Sequence, residues 1–342
     1  MNKVIVTGGA GFIGSHTYVE LMGAGMEPII VDDLRNSEER VLGGLEKITG
    51  KKPVIHRIDC TDRDAMDRVF AAEKPSSVIH FAADKAVGES VQDPLKYYHN
   101  NIGSLATLLR VMQGHGVKDV VFSSSCTVYG DSEDLPVTEN SATGQAASPY
   151  GYTKVVCEQM LRDVSASDPG LRVVMLRYFN PIGAHPSAHI GELPIGVPNS
   201  LVPYITQTAA GIRERLTVHG DDYPTRDGSC IRDYIHVVDL AKAHVAALRW
   251  LSGRKAPVCE VFNLGTGQGN TVLEAVHTFE EVNGVKVPYV IGPRRAGDVV
   301  AMYADTTKSS EVLGWRTELT LADALRDAWH WQQALGGEGE KE

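Results

Sequence analysis

The chain has 342 residues, enough for two packed lobes, and its 43% hydrophobic and 22% charged residues are the balance of a globular protein able to bury a core. A formal net charge of -10 argues against general nucleic-acid or anionic-membrane binding, because both need a cationic face; an anionic small molecule needs only a few placed Arg or Lys. No apolar run approaches the ~20 residues of a membrane span. Five scattered cysteines (Cys60, Cys126, Cys157, Cys230, Cys259) form no CxxC pair, so they read as reduced thiols and no metal is expected.

In chain order, Met1-Asn2-Lys3-Val4-Ile5-Val6 enters a strand at once, with no charged leader and apolar stretch, so a cytoplasmic location is expected. Short Val- and Ile-rich runs at 3–7, 28–32, 53–58, 77–81, 119–123 and 173–177 predict buried strands separated by helix-length stretches. That alternation is the pattern of an α/β fold, a doubly wound parallel sheet of the Rossmann type with helices on both faces. Thr7-Gly8-Gly9-Ala10-Gly11-Phe12-Ile13-Gly14 lies between the first strand and a helix predicted from near Phe12. Gly8 permits a tight turn, Gly11 lets backbone amides approach a pyrophosphate, and Gly14 lets the helix pack on the strand. The helix N-terminus offers unpaired N–H groups to the phosphates. Asp32 ends the next strand, where an acid accepts from the adenosine ribose and repels a 2′-phosphate, so NAD is favoured over NADP.

Val121-Phe122-Ser123-Ser124-Ser125 runs a strand out into hydroxyl residues at the carboxyl edge of the sheet, where ligands of such folds bind. In Ser148-Pro149-Tyr150-Gly151-Tyr152-Thr153-Lys154, Ser148 suits a helix cap and Pro149 its first turn. Tyr150 and Lys154 are four apart and share a face, whereas Tyr152 points elsewhere. A phenol near an ammonium and a nicotinamide cation is expected to have its pKa lowered from ~10, giving a base near neutrality. After about residue 180, Pro and Gly become frequent and strands sparser. We therefore expect a dinucleotide domain over 1–180, a smaller mixed α/β substrate lobe over 181–335, a strand near 258–265 returning to the main sheet, and a polar, disordered tail over 336–342.

From about residue 3 to 331 the chain resembles the UDP-glucose 4-epimerases of the extended short-chain dehydrogenase/reductase group. The resemblance rests on the segments 7–15, Phe81-Ala82-Ala83-Asp84-Lys85-Ala86-Val87-Gly88-Glu89-Ser90, 123–130, Tyr150 to Lys154, Arg177-Tyr178-Phe179-Asn180-Pro181, 232–237 and Pro293-Arg294-Arg295-Ala296-Gly297-Asp298. It implies that Phe12, Ile13, Asp32, Asn36, Ser37, Asp59 and Cys60 surround NAD, together with Phe81, Ala82, Ala83, Lys85, Asn100 and Ser123. Tyr178 and Phe179 would wall the site. Ser125 would bond the sugar hydroxyl beside Tyr150, Asn180 would contact the nucleotide sugar, Arg232 and Arg295 the diphosphate, and Asp298 the uridine ribose. Lys85, Asn199, Ser200, Leu201, Tyr234 and Met302 would complete the substrate contacts. The fork of an Arg suits phosphate oxygens, so the two arginines also make physical sense in an acidic chain. Five positions depart from the family or stand apart in it. Ala83 and Asp84 stand where many members carry Gly and Leu, Cys126 replaces Ala, Ser200 replaces a second Asn, and Met302 occupies the gate for the sugar 2-substituent. A large aromatic there restricts the site to plain hexoses and a small residue admits an N-acetyl group; Met is intermediate and flexible.

The resemblance thus implies interconversion of UDP-galactose and UDP-glucose through a 4-keto intermediate on tightly held NAD, by an enzyme that is a homodimer through the helices near 93–110 and 149–162. Alternatives are a 4-epimerase of UDP-N-acetylglucosamine or its galacto isomer, a nucleotide-sugar dehydratase or decarboxylase, and an inactive NAD-binding regulator. A dehydratase needs an Asp-Glu pair after the Ser/Thr position, where this chain has Cys126 and Thr127. A silent regulator should lack one of Ser125, Tyr150 or Lys154.

Overall fold

The computed structural model describes residues 2–295 and 297–338. Strands β1 (Lys3–Thr7), β2 (Glu27–Val31), β3 (Val54–His56), β4 (Ser77–His80), β5 (Asp119–Ser125) and β6 (Arg172–Tyr178) alternate with helices α1 (Phe12–Gly23), α2 (Arg40–Thr49), α3 (Arg63–Glu73), α4 (Val87–Gln92), α5 (Pro94–Tyr97), α6 (Gly103–His115) and α7 (Pro149–Ser167). A π-helical turn, Tyr98–Ile102, joins α5 to α6, and a 3-10 turn, Cys126–Tyr129, follows β5. Further on come β7 (Asn180–Ile182), α8 (Leu201–Ala209), β8 (Leu216–His219), β9 (Ile231–Arg232), β10 (Tyr234–His236), α9 (Val237–Ser252) and β11 (Val258–Leu264). The chain ends with β12 (Asn270–Thr271), α10 (Val272–Asn283), β13 (Tyr289–Gly292), β14 (Ala301–Met302), α11 (Thr307–Leu313) and α12 (Leu321–Glu338).

The main sheet runs β11-β6-β5-β4-β1-β2-β3, and every pairing in it is parallel. The order reverses between β1 and β4. At that point the connections depart to opposite faces and leave a crevice beyond the strand ends. The sheet is covered on both sides, which is why its strands read as unbroken apolar runs and not as alternating ones. Ile5, Val120, Phe122, Val173 and Met175 enter one core with Met66, Phe70, Leu105 and Leu108. Their neighbours Val4, Val6, Val121, Val174 and Leu176 enter the other, with Leu21, Leu240 and Leu248. Beyond β6, three small sheets (β10-β7, β12-β9-β14 and β13-β8) pack around a separate core that includes Ile182, Ile205, Val218, Phe279 and Leu325.

The six expected strands are present, with bounds shifted by up to two residues. The run expected over 53–58 pairs only at Val54–His56, at the sheet edge, where one neighbour is missing. β11 lies parallel to β6, so the late strand does return to the main sheet. The tail differs from expectation. Helix α12 continues to Glu338, so 336–338 are helical, while 339–342 lie outside the described residues. The helix carries its polar composition as an extension of a segment anchored by Leu325, Ala328 and Trp331, all buried.

Behind the sheet's carboxyl edge lies a buried ion pair. Arg177 on β6 donates from Nε and Nη2 to the two carboxylate oxygens of Glu158 on α7, at 2.8 and 2.6 Å. Both side chains are 2% exposed. Ser124 Oγ on β5 donates to the same carboxylate at 2.6 Å. Arg177 Nη1 also donates to Tyr129 Oη at 2.9 Å, and Tyr129 donates to Asn263 on β11 at 2.6 Å. This network ties α7, β5, β6 and β11 into one frame.

Candidate active site

The cofactor side starts at the turn between β1 and α1. Gly8 sits at φ +68, a left-handed conformation natural to glycine. At Gly14 an added Cβ would lie 2.2 Å from the Gly8 carbonyl oxygen, so only glycine lets α1 pack this close. Gly11 caps α1 without a side-chain bond, leaving its first N–H groups directed into the crevice. Asp32 accepts from Ala10 N at 3.0 Å, Leu34 N at 2.9 Å and Ser37 Oγ at 3.2 Å. Burial lifts the Asp32 pKa above its ordinary value, against the pull of those bonds. Asp59 accepts from Thr61 and pairs with Arg35; burial would raise it, but these partners prevail and hold it below the usual carboxylate range. Asn36 and Asn100 both donate to Asp84, at 3.1 and 3.0 Å. Phe81 packs 4.7 Å from the ring of His244. These groups fit a dinucleotide: a glycine cradle that side chains would fill, open helix N–H groups, and a buried carboxylate at the end of β2.

On the catalytic side, Ser148 accepts from Gly151 N at 3.2 Å and starts α7, with Pro149 in the first turn. Tyr150 and Lys154 face the end of β5, whereas Tyr152 is exposed on another face. Lys154 Nζ donates to the Ser123 carbonyl at 2.8 Å and lies 6.0 Å from the centre of the Tyr150 ring. Ser125 Oγ accepts from Thr127 N at 3.2 Å and Thr127 Oγ1 at 2.9 Å. With its lone pairs so engaged, its proton is left for the Tyr150 phenol, whose pKa the Ser125 side chain lowers. The expected lowering of Tyr150 does not arise in the chain alone. Burial pushes its phenol up to about 12, with only the Ser125 bond opposing. The physical reason is the direction of Lys154, whose ammonium is spent on a carbonyl oxygen. Tyr178 donates to His244 Nε2, because His244 Nδ1 is occupied by the Leu240 carbonyl at 2.8 Å. Burial lowers His244 to about 3, so it stays a neutral acceptor.

On the substrate side, Arg232 and Arg295 converge on one carboxylate. Asp298 accepts from Arg295 at 2.9 and 3.1 Å and lies 3.4 Å from Arg232 Nη2. Arg232 Nη1 is fixed by the carbonyls of Ile231 and Val299 at 2.8 and 2.9 Å. Asn180 Oδ1 is buried without a partner among the described residues, an acceptor that wants a donor from a ligand. Phe179 and Met302 share an apolar cluster with Val128 and Tyr129, and Tyr234 is buried on β10. Lys85 is exposed and pairs with Glu192 at 3.2 Å. Ser200 turns to the same Glu192 at 2.9 Å, next to exposed Asn199 and half-buried Leu201 at the start of α8. Sequence reading missed Asn101, Thr127 and His244. Thr127 lies in a motif segment and Asn101 beside the expected Asn100, but a lone histidine on a helix carries no local signal.

A doubly wound α/β sheet with a glycine turn, a terminal acid on β2 and a Ser-Tyr-Lys group at the switch point defines a nicotinamide-dinucleotide enzyme. The chain matches the NAD dependent epimerase/dehydratase family over residues 4–265, and it belongs to that family. UDP-glucose 4-epimerase of Yersinia pestis is 50% identical over 96% of this chain and 97% of its own length. The Bacillus subtilis (strain 168) UDP-glucose 4-epimerase is also 50% identical, over 97% of both chains. Among solved structures, the Stenotrophomonas maltophila UDP-glucose 4-epimerase with bound NAD and formylated UDP-arabinopyranose superposes with a TM-score of 0.96 at 48% identity, covering 99% of this chain and 100% of that one. The Bifidobacterium longum UDP-glucose 4-epimerase in complex with NAD+ and UDP gives a TM-score of 0.94 at 49% identity, covering 97% and 98%.

Burial moves Lys154 from its ordinary 10.5 down to about 8. Between those values the unfolded chain binds more protons than the folded one, so stability rises with pH across the window. In cofactor-free protein, the parent should gain about 2 kcal/mol over Lys154→Met from about pH 7.5 to about pH 9.5. Urea unfolding at both values checks this; a constant difference would contradict it.

Proposed function

We propose that this chain is an NAD-dependent UDP-glucose 4-epimerase that interconverts UDP-galactose and UDP-glucose through a 4-keto sugar. The observation that carries the reading is the assembly of Ser125, Tyr150 and Lys154 at the end of β5, where Lys154 Nζ bonds the Ser123 carbonyl and lies 6.0 Å from the centre of the Tyr150 ring. Bound NAD supplies the acceptor for the C4 hydride and then its donor. Tyr150 takes the proton of the C4 hydroxyl, and Ser125 carries the hydrogen bond between phenol and sugar. Lys154 holds the nicotinamide ribose. The charge of a bound nicotinamide would bring the phenol down from about 12. Arg232 and Arg295 exchange Asp298 for the diphosphate, freeing that carboxylate for the uridine ribose. The diphosphate stays gripped while the ketosugar turns its other face to the cofactor.

Dehydration is disfavoured by the same site. Burial pushes the Cys126 thiol up to about 12, and Thr127 is engaged with Ser125, so neither supplies an acid or base near neutrality. All of Ser125, Tyr150 and Lys154 are present and assembled, which argues against a silent regulator. Residues 1–180 with β11 would hold NAD, and 181–335 the UDP-sugar. Among the described residues no helix is long and apolar enough to cross a membrane; together with the net charge of -10 this supports a cytoplasmic enzyme without a nucleic-acid partner. A homodimer through the helices near 93–110 and 149–162 is supported by exposed Leu95 on α5 and Tyr152 on α7.

Tyr150→Phe should lower turnover of UDP-galactose by about a hundredfold or more while NAD stays bound, read by product formation and by cofactor released on denaturation. Near-normal turnover would overturn the role of Tyr150. Met302 is buried against Phe179, so Met302→Ala should raise turnover of UDP-N-acetylgalactosamine relative to UDP-galactose by about tenfold. An unchanged ratio would put the barrier elsewhere.

A further inference from the structure

We propose that Asp84 is a positioning residue for the cofactor: it fixes the amides of Asn36 and Asn100 in the orientation that holds NAD. The inference rests on the reading that these two asparagines face the dinucleotide, and it adds a residue that touches no ligand. Asp84 lies in the loop between β4 and α4 and is 2% exposed. Its two carboxylate oxygens divide the task. Oδ1 accepts from Asn36 Nδ2 at 3.1 Å and Oδ2 from Asn100 Nδ2 at 3.0 Å. Among the described residues no ion pair engages it.

A carboxylate only accepts. Each asparagine must therefore turn its NH2 toward Asp84 and its carbonyl oxygen away, which removes the twofold ambiguity of an amide. A bond to a charged acceptor is also stronger than one between neutral groups, so the orientation is held firmly. The Asn100 oxygen accepts from Arg35 Nη1 at 3.3 Å, so both ends of that amide are specified. One residue thus orients two amides from different elements, the segment after β2 and the π-helical turn before α6. A π-helical turn is a frequent mark of a functional position.

The backbone of Asp84 is held independently of its side chain. Its N–H donates to Asn101 Oδ1 at 2.8 Å, and Asn101 Nδ2 donates back to its carbonyl at 3.0 Å. Asn101 Nδ2 also reaches Thr153 Oγ1 at 3.1 Å, on α7 between Tyr150 and Lys154. These bonds survive any change of the Asp84 side chain. A substitution there should leave the loop and α7 in place and release only the two amides.

The test uses holoenzyme and the rate at which it loses NAD, followed by trapping released cofactor with an alcohol dehydrogenase and ethanol. Asp84→Leu keeps the site filled with an apolar side chain and should speed NAD loss by about tenfold. Asp84→Asn keeps one acceptor for two amides and should give a smaller increase. With NAD in excess, kcat on UDP-galactose should stay within about twofold of the parent in both, a split that general loosening of the fold would not give. In an Asn36→Ala, Asn100→Ala background, Asp84→Leu should have no further effect. An unchanged rate of loss in Asp84→Leu, or an undiminished effect in that background, overturns the proposal. If the double asparagine variant itself keeps NAD as firmly as the parent, the placement of those amides on the cofactor is what fails.

Discussion

The pairing of Arg177 with Glu158 is the constraint behind the rest of the site. Glu158 stands one turn beyond Lys154, which stands one turn beyond Tyr150, so all three look from one face of α7 toward the ends of β5 and β6. A bidentate bond at the inner end of this row fixes the rotation and height of the helix. Its outer end then falls over Ser123 and Ser125, where Lys154 and Tyr150 find their partners. Such a pair is retained for its geometry more than for net stability, since desolvating two charges consumes much of their attraction. Removing Glu158 would leave the Arg177 charge buried without its acid, at about 3–5 kcal/mol, whereas without Arg177 the carboxylate keeps Arg162 at 3.0 Å. Pre-setting the reacting groups in this way is what shortens the search for a reactive geometry.

Burial sets the charge state of the chain's own groups in opposite directions. It raises Tyr150 and lowers Lys154, so the protein by itself keeps its base protonated and its cation weak. The activating charge has to come with the cofactor. Catalytic competence is thereby linked to occupancy of the dinucleotide site, which suits an enzyme that does not release its cofactor between cycles. The proposed diphosphate site follows a related logic. Asp298 pairs with both arginines, and a more highly charged anion would displace it.

Much of this was legible in the sequence because it depends on local rules. The glycine spacing, the capped start of α7 and the interval between Tyr150 and Lys154 are fixed by turn and helix geometry. Unbroken Val and Ile runs marked strands buried on both faces. What escaped depends on pairings between distant segments. Nothing near residue 84 tells whether its carboxylate faces solvent, cofactor or protein; the answer came from asparagines 48 and 16 positions away. The Arg177–Glu158 bond and the acceptor role of His244 are of the same kind. The direction of Lys154 was hidden too, since helix periodicity assigns a face but not the atom that a long side chain will reach.

In the epimerisation a hydride leaves C4 and returns to C4 of the same sugar without passing through water. UDP-galactose carrying deuterium at C4, incubated with the enzyme and no added NAD, tests it by NMR of the product and the solvent. Return of the same hydride gives UDP-glucose that keeps its deuterium at C4. Loss of the label to water would contradict it.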